Sequence, residues 1–489
     1  MTRVRLSFLV LIAVPALAQE GPDLQARRLL EDGRAYWSQG KLKQALDNFN
    51  IIVSSFSGTS SIGQALLEIG RYRMDVDGDA EKARASFEQV AKQYPQSDGA
   101  PGAYFYLGLL TLNRAGSAAD LDDALAQFTR VQNLYPKSEW VPRALQASGL
   151  VHRKAGRFAE ALDASRRVSL EYPSSEAAPA AQFQIGHALA VMGEPRQAME
   201  EFQQVRNRYP ESEWSARALE RITALYRLYG TGKPSFTFDS AFGAGAGDLL
   251  KDVRAILMTP AGVLWIASDK SKSALPIDQS GKMGAGFSGE DLRALALTPR
   301  GELVVAAKTA VRFGPKDLRG FAVPSDKPGV PESLERILSA TVTPGGAVLV
   351  ADEKRKKVYR YDRAYEYKGT FPDRDAKERQ VVRMVVDGEG GIVFLDREDR
   401  SVQVYSEAGK VLRTLGPAGL RKPVDVAVDP FRNTYVADEE AGVLVFNQQG
   451  QLLTTLTGPE LKRPKALTLD PTGAVLVYDD RAEKVLRYR

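Results

Sequence analysis

The sequence predicts two domains of different fold class: an all-α solenoid of helical hairpins followed by an all-β propeller of six blades. A repeat of about forty residues runs from Gly40 toward the carboxyl end. Its spacing changes from helical to strand-like near Gly230. With 489 residues, the chain is long enough for more than one domain. We therefore predict a cleavable leader over 1–18, a helical domain over 19–229 and a propeller over 230–489.

The first repeat is recognised by apolar residues that share one helical face. Each copy has an alanine followed, four and seven positions later, by further core positions, and these offsets lie on one side of a helix. Four of the five copies end in Tyr-Pro, and proline ends a helix because it disfavours the α conformation of the residue before it. The alanines are Ala45, Ala83, Ala124, Ala161 and Ala198.

A second helical stretch precedes each alanine and carries a glycine at a matching place. A glycine inside a helix costs about 1 kcal/mol relative to alanine. Its recurrence at one repeat position therefore predicts a close approach of two helices. We predict five stacked helical hairpins and a closing helix near Glu213 to Tyr229. The glycines are Gly33, Gly70, Gly108, Gly149 and Gly186.

These features resemble the tetratricopeptide repeat, with Leu107-Gly108 on a first helix and a terminal proline on the second. The Tyr-Pro-x-Ser linkers at 94–97, 135–138 and 209–212 are similar to those of bacterial envelope proteins, such as the Tol-Pal cell-division coordinator and the outer-membrane assembly lipoproteins. The resemblance implies a protein-binding solenoid of the cell envelope. Because the chain has no cysteine, we expect no lipid anchor.

The second repeat alternates like β-strands around a turn. Two apolar runs flank Thr/Asp-Pro-x-Gly, in which proline presets the first corner and glycine adopts positive φ. In the fifth copy, Asn433 is predicted to take the place of the glycine. A repeat of about four short strands, present in six copies, predicts a six-bladed propeller. Strand ends such as Ala351-Asp352 and Ala437-Asp438 resemble the NHL subclass.

The sixth copy of this repeat is one strand short. It stops at its third strand, Lys484 to Arg489, and an open edge would invite aggregation. We predict that the segment Pro234 to Phe238, which precedes the first copy, supplies the missing strand and closes the ring.

The amino terminus has the pattern of a secretory signal peptide. Arg3 and Arg5 precede the apolar run from Leu6 to Val14, and Ala16-Leu17-Ala18 supplies a small-x-small cleavage site. We expect cleavage after Ala18 and a periplasmic or secreted protein. The alternative, a short membrane anchor, is disfavoured because the run is too short to span a bilayer.

Residues for catalysis are scarce in the propeller half. The two histidines, His152 and His187, both precede it, and a Ser-His-Asp or Cys-His arrangement inside the propeller cannot be built without histidine and cysteine. We expect no enzyme activity, no cofactor and no metal, with a calcium site of acidic residues as the alternative. The recurring aspartates are expected instead to bond to local turns, and they are Asp269, Asp352, Asp396, Asp438 and Asp479.

Charge gives little support to a polyanionic partner. The net charge is only +5 in 489 residues, and a nucleic-acid-binding protein usually shows a basic stripe. The one dense basic run, Lys354 to Lys357, is interpreted as a solvated turn, with a site for an anionic polymer as the alternative. We expect no nucleic-acid partner.

The resemblance to tetratricopeptide repeats also implies a peptide-binding groove, lined by first-helix residues three before and one or four after the glycine. Arginines with aromatic neighbours would suit an acidic or carboxylate-bearing peptide. The alternative is that each residue is an ordinary solvated helix-face residue. The candidate residues are Arg34, Trp37, Arg71, Phe105, Leu112, Arg153 and His187.

The function that we predict is an exported, non-catalytic scaffold that binds envelope proteins or peptides through this groove and the propeller loops. The loops 324–333 and 373–379 differ from the other copies and are candidates for specificity. Two alternatives stay open: a lactonase-like propeller hydrolase or lyase with a helical adaptor, and a protein that binds glycan or peptidoglycan.

Overall fold

The structure is a computed structural model that describes residues 21–242, 247–278, 280–315, 317–325, 330–373, 378–416 and 419–489. The predicted signal peptide and parts of both predicted specificity loops lie outside these residues. The described chain forms two compact units. The first unit comprises the residues up to Asn113 with Ala126–Ala144, and the second comprises Arg114–Leu125 with Leu145–Arg489. The predicted domain limits at 229 and 230 stay predictions.

Eleven helices form the amino-terminal part of the described chain, as five hairpins and a closing helix. The number, the pairing and the closing helix match the sequence-based prediction. The helices are α1 Pro22–Ser38, α2 Leu42–Ser55, α3 Ile62–Asp75, α4 Ala80–Gln93, α5 Ala100–Arg114, α6 Ala118–Leu134, α7 Trp140–Lys154, α8 Phe158–Glu171, α9 Ala178–Val191, α10 Pro195–Arg208 and α11 Glu213–Tyr229.

Four of the five repeated glycines mark points where an aromatic ring of the second helix touches the backbone of the first, whereas Gly149 faces Ser165. A Cβ on Gly33 would lie 2.4 Å from Cε1 of Phe49, and one on Gly70 would lie 2.4 Å from Cε1 of Phe87. Both distances are shorter than carbon atoms tolerate, so only glycine fits. The predicted close approach is confirmed, and the same contact recurs between Gly108 and Phe128 and between Gly186 and Phe202.

The Tyr-Pro linkers are joined by tyrosine hydroxyl groups. In the first unit, the Tyr135 hydroxyl donates to the carbonyl of Pro95 at 2.8 Å. In the second unit, the Tyr209 hydroxyl donates to the carbonyl of Pro173 at 3.1 Å. In each case the tyrosine reaches the proline of the preceding repeat. In these two linkers, the Tyr-Pro pair therefore both ends a helix and connects neighbouring hairpins.

Among the described residues, six four-stranded antiparallel sheets form the propeller, as predicted. A two-stranded hairpin, β10 and β11, follows blade 2. Strand β1 is Phe238–Phe242, and the hairpin consists of β10 Ala322–Pro324 and β11 Pro331–Ser333. Blades 1 to 3 consist of β2 Val253–Met258, β3 Leu264–Ser268, β4 Ser273–Ile277 and β5 Phe287–Ser288 (blade 1); β6 Leu292–Leu297, β7 Leu303–Ala307, β8 Val311–Phe313 and β9 Asp317–Arg319 (blade 2); and β12 Ile337–Val342, β13 Val348–Asp352, β14 Lys357–Tyr361 and β15 Tyr367–Thr370 (blade 3). Blades 4 to 6 consist of β16 Val381–Val386, β17 Ile392–Asp396, β18 Ser401–Tyr405 and β19 Val411–Leu415 (blade 4); β20 Pro423–Val428, β21 Thr434–Asp438, β22 Gly442–Phe446 and β23 Leu452–Leu456 (blade 5); and β24 Pro464–Leu469, β25 Val475–Asp479 and β26 Lys484–Tyr488 (blade 6).

A strand from before blade 1 completes blade 6, whose order is β1-β26-β25-β24. Phe238 pairs with Tyr488, and Thr237 exchanges two backbone hydrogen bonds with Arg489, of 2.6 and 2.9 Å. The predicted ring closure is confirmed. The predicted segment was placed too early, because strand pairing runs over Phe238–Phe242 and only Phe238 belongs to both ranges.

The turns between the first and second strands share a hydrogen bond that explains their sequence. The residue after each turn donates its amide to the side chain of the first turn residue, as from Val263 to Thr259 Oγ1 at 3.1 Å and from Ala474 to Asp470 Oδ1 at 2.9 Å. Threonine and aspartate both offer the required oxygen. The recurring Thr/Asp therefore closes each turn.

The prediction for the fifth turn was wrong by one residue. Arg432, with φ of 68°, occupies the left-handed position that Gly262 and Gly473 hold in their blades, each with φ of 77°. Asn433 follows it and donates its amide and side-chain nitrogen to Asp429, at 2.9 and 2.7 Å. The blade-5 turn therefore keeps the backbone pattern of the other blades, with arginine in place of glycine.

Four of the five recurring aspartates bond to local turns as predicted. Asp438 accepts four backbone amide hydrogen bonds, from Arg421, Lys422, Glu440 and Ala441, and Asp479 accepts four in the same way. Asp352 and Asp396 accept backbone amides from their own turns.

The prediction for Asp269 was wrong, because this residue lies one position beyond strand β3. The equivalent place in blade 1 is held by Ser268, whose hydroxyl donates to the carbonyl of Lys251 at 2.6 Å. Asp269 instead forms an ion pair with Arg254 at 3.2 Å.

A buried ion pair joins the first strands of blades 4 and 5. Arg383 Nε lies 2.6 Å from Asp425 Oδ1, and the two side chains are 6% and 3% exposed. The other oxygen of Asp425 accepts the amide of Leu467 in blade 6, at 2.9 Å. Arg383 also donates to the carbonyl of Arg254 in blade 1, at 3.4 Å. These two side chains therefore connect four of the six blades.

Candidate functional site

In the first unit, three first helices place a guanidinium group between two aromatic rings. Arg71 of α3 lies with its Cζ 5.3 Å from the ring centroid of Trp37 on α1 and 6.0 Å from that of Tyr106 on α5. Both distances are within the range of cation–π attraction. We call Arg34, Trp37, Arg71 and Tyr106 the cation–aromatic strip.

A buried carboxylate holds the two arginines of the strip. Glu68, with a side chain 5% exposed, accepts Arg34 Nε at 3.0 Å on one oxygen and Arg71 Nη1 at 2.8 Å on the other. Charge-assisted hydrogen bonds of this kind compensate for burial of the carboxylate. Arg34 stays 46% exposed and Arg71 30% exposed. One positive charge is thus balanced, and the strip keeps one in excess.

The structure brings only part of the predicted groove to this strip. Arg34, Trp37 and Arg71 lie together, as their shared offsets from the repeat glycine suggested. Phe105 and Leu112 are only 9% and 4% exposed. Phe105 packs against Phe128 and Trp140, with ring centroids 5.8 and 5.3 Å away. Their side chains are therefore core residues in this structure, and a peptide-binding role for them stays a prediction.

Sequence reasoning missed Glu68 and Tyr106, which share one repeat position. Each lies two residues before its glycine, Gly70 or Gly108. That position is three residues before the position of Arg71, so the two positions are neighbours on one helical face. The offsets taken from the repeat family do not include this position. Helical geometry would have identified it as a neighbour of Arg71.

The first unit also has a surface cleft of about 820 Å³ beside the strip. It is lined by linker residues such as Pro95 and Tyr135, together with Tyr104 and Trp140. The rings of Trp140 and Tyr106 lie 5.5 Å apart, so this cleft residue contacts the strip. The aromatic side chains of the strip therefore continue into the cleft.

In the second unit, the remaining two predicted groove residues bind a carboxylate of the chain itself. Glu389, in the turn between β16 and β17, lies 2.7 Å from His187 Nε2 and 3.2 Å from Arg153 Nη1. The side chains of Glu389 and His187 are 5% and 7% exposed. Burial lowers the pKa of His187, and the hydrogen bond with Glu389 acts in the opposite direction. A peptide carboxylate would have to replace Glu389 here, and the peptide-binding role of both residues stays a prediction.

The blade-5 turn inserts an aromatic side chain among the helices of the second unit. Phe431 is 1% exposed and joins the core formed by α9, α10 and α11, with its ring centroid 6.3 Å from that of Phe202. Next to it, the Tyr229 hydroxyl donates to Asn433 Oδ1 at 2.8 Å. The blade-5 turn therefore contacts these helices through a buried ring and a hydrogen bond.

The dense basic run of blade 3 lies in the turn between β13 and β14, as predicted. Its arginine, Arg355, pairs with Asp352 at 2.9 Å and also with Glu332. Lys356 lies 2.7 Å from Glu398. Acidic neighbours thus balance the central charges of the run, which favours a turn over a site for an anionic polymer.

Among the described residues, no helix combines the length and apolar character needed to cross a bilayer. In the same part of the chain, no three histidine or acidic side chains come together as metal ligands would.

Comparison with known families identifies the helical part. Residues 64–97 and 180–212 match the model of the tetratricopeptide repeat, and these ranges correspond to the second and fifth hairpins. The chain therefore has tetratricopeptide repeats in its helical region, followed by a six-bladed β-propeller. No curated protein sequence is significantly similar to the chain.

Solved structures similar to this chain include propellers of lyases. A streptogramin B lyase shares 11% identity with a TM-score of 0.40, over 52% of this chain and 97% of the lyase. Virginiamycin B lyase from Staphylococcus aureus shares 12% identity with a TM-score of 0.38, over 50% of this chain and 82% of the lyase. Similarity at this level gives no information about activity.

Proposed function

We propose that this chain is a non-catalytic adaptor that binds protein partners through the cation–aromatic strip of its first unit. The observation that carries the proposal is the position of Arg71 between Trp37 and Tyr106, with its guanidinium partly exposed. Aromatic and arginine side chains dominate the energy of many protein interfaces because they combine large contact area with directed hydrogen bonds. The tetratricopeptide repeats of this region support the same function.

The partner class that best fits the strip is an acidic peptide with apolar side chains. Arg34 and Arg71 are already oriented by Glu68, so an incoming carboxylate would find donors whose rotamers are fixed. The two aromatic rings would cover apolar parts of the same peptide. Because Glu68 balances one of the two positive charges, we expect recognition of a peptide with a single carboxylate near the strip, rather than of a polyanion.

The test compares partner capture by matched variants. Purified protein would be used to capture partners from a cell-envelope extract, and recovered proteins would be quantified. We expect the double variant Trp37→Ala/Arg71→Ala to lose partners that wild type recovers. Lys43→Ala, on an exposed position of the second helix α2, should recover them fully. Circular dichroism would confirm that each variant is folded. Equal recovery by all three proteins would refute the proposal.

Export belongs to the same proposal and rests on residues 1–18 of the sequence. The mature protein should begin at Gln19 when it is isolated from the envelope fraction of an expressing bacterium. Amino-terminal sequencing checks the cleavage site. A chain that keeps Met1 and fractionates with the cytoplasm would contradict export without affecting the proposed strip.

If the propeller were instead a metal-dependent hydrolase or lyase, a bound metal ion should stabilise it. An ion that occupies a site at one hundred times its Kd stabilises the folded state by about 2.7 kcal/mol. For a non-catalytic adaptor, we expect no change in the Tm of the propeller on titration with Ca²⁺ or Zn²⁺. A saturable increase in Tm would favour the metal-dependent enzyme.

A further inference from the structure

The outermost strand of blade 5, β23, lacks the features that usually protect the edge of a sheet. It reads Leu-Leu-Thr-Thr-Leu over Leu452–Leu456, and in the described part of the chain no strand pairs with its outer edge. Natural edge strands are usually protected by charge, proline or shortness. The other outermost strands have a charged residue or, in β5, a length of two residues; the charged residues are Asp239, Asp317, Arg319, Lys368 and Arg413.

A pocket of about 510 Å³ lies at the start of this strand, within the second unit. Leu452 and Leu453 form one side, and Leu228 and Tyr229 of α11 form another. Leu452 is 51% exposed, whereas Leu228 is 3% exposed. Small-ligand and side-chain pockets commonly have volumes of about 300 to 1,000 Å³. The pocket is therefore large enough for one or two apolar side chains next to an unpaired strand edge.

The rim of the pocket has more positive than negative charge. Arg196 and Lys233 are both exposed rim residues, and Glu194 is the carboxylate among the lining residues. The Glu194 carboxylate accepts a hydrogen bond from the Gln197 amide at 3.4 Å. An incoming carboxylate could therefore pair with either cation without displacing a strong internal ion pair.

We propose that an extended acidic segment of a partner protein adds to β23 as a fifth strand of blade 5. Its backbone would hydrogen-bond to the free edge, as in other cases of strand addition. One of its apolar side chains would enter the pocket, and a neighbouring carboxylate would pair with Arg196 or Lys233. This surface is separate from the cation–aromatic strip, so the proposal does not depend on the proposed function.

The experiment uses a fluorescently labelled nine-residue peptide of alternating valine and glutamate, titrated with the folded full chain. We expect saturable fluorescence anisotropy, and amide hydrogen exchange should slow over 452–456 when the peptide is bound. Leu452→Asp and Arg196→Glu/Lys233→Glu should each weaken binding at least tenfold. A peptide of alternating valine and lysine should bind at least tenfold more weakly than the glutamate peptide.

Matched controls distinguish binding at this site from non-specific peptide binding. Leu412→Asp changes an equally exposed leucine, 48% against 51%, on the outermost strand of blade 4. Arg208→Glu reverses an exposed charge at the other end of α10. Both controls should bind the peptide as wild type does, and in Trp37→Ala/Arg71→Ala the bound peptide should still slow exchange over 452–456. Absence of binding, equal binding of the two peptides, or unchanged exchange over 452–456 would overturn the proposal.

Discussion

At the scale of single residues, Arg383 and Asp425 have the largest expected effect on propeller stability. Burial raises the pKa of Asp425, and the charge of Arg383 acts in the opposite direction. Removal of one member of a buried ion pair leaves the other charged in an apolar environment, at a cost of about 3 to 5 kcal/mol. The pair also links strands of several blades, so its loss should destabilise the whole propeller.

We expect Arg383→Met to destabilise the propeller by about 4 kcal/mol, because Asp425 loses its partner. The measurement is hydrogen exchange of propeller peptides in increasing urea. The double variant Arg383→Met/Asp425→Leu should recover most of the loss, since no buried charge is left unpaired. A double variant as unstable as the single one would show that the arginine acts by packing rather than by charge.

The buried Glu68 gives a second prediction at this scale. Glu68→Gln keeps the size of the side chain but removes the charge that holds Arg34 and Arg71. Hydrogen bonds to charged groups contribute about 1.5 to 3 kcal/mol, so we expect a loss of about 2 kcal/mol in the first unit. Urea unfolding followed by hydrogen exchange of α1 and α3 measures it. Glu31→Gln, an exposed change on α1, should have no effect.

At the scale of elements, the blade-5 turn packs against the helices of the second unit through Phe431. Phe431→Ala should cost about 3 to 5 kcal/mol, because it removes a large buried ring and leaves a cavity. We expect faster hydrogen exchange in α9, α10 and α11, while blades 1 and 2 exchange as in wild type. A loss of protection spread evenly over all blades would contradict a role confined to this contact.

Elements that depend on local spacing were predictable from the sequence. The eleven helices follow from the alanine, glycine and proline positions, and the blades follow from turn residues and alternating strands. The closing strand was misplaced because its pairing depends on β26, which is distant in sequence and offers no local signal. The left-handed residue of the blade-5 turn was misassigned because asparagine tolerates positive φ better than arginine.

The candidate site was predictable only in part, for a related reason. Arg34, Trp37 and Arg71 share repeat offsets, so the sequence brings them together. The contact of Arg153 and His187 with Glu389 spans more than two hundred residues of chain, and periodicity does not register such a contact. The sequence does not identify β23 as an unprotected edge strand, because a strand is at an edge only when no other strand pairs with one of its sides.

At the scale of the molecule, stability should depend on pH through buried charges of the second unit. Burial raises the pKa of Asp429 to about 6, while hydrogen bonds from Asn433 and Phe431 and the charge of Arg221 act in the opposite direction. A carboxyl group whose pKa is raised by folding stabilises the protein below its unfolded pKa of about 3.9. This contribution is lost as the pH rises through about 6. His187 acts oppositely, because its lowered pKa costs stability as the pH falls.

The variant Asp429→Asn isolates the carboxyl contribution. As the pH rises from 4.5 to 7.5, wild type should lose about 2 kcal/mol of stability relative to the variant, because the unfolded carboxyl is already mostly ionised at pH 4.5. Calorimetric Tm values of both proteins across this range supply the comparison. A Tm difference that does not change with pH would mean that Asp429 ionises normally in the folded protein.

The ring closure between β1 and β26 also determines when the propeller can form during synthesis. β1 precedes all six blades in the chain, whereas its partner β26 follows almost all of them. The two strands therefore cannot pair while the blades between them are being synthesised. Pairing of such distant segments is slow because a long loop must be closed first. The nascent ring is therefore exposed to proteases and to misassembly until β26 is available, a vulnerable interval that the helical repeats, with their local contacts, do not share.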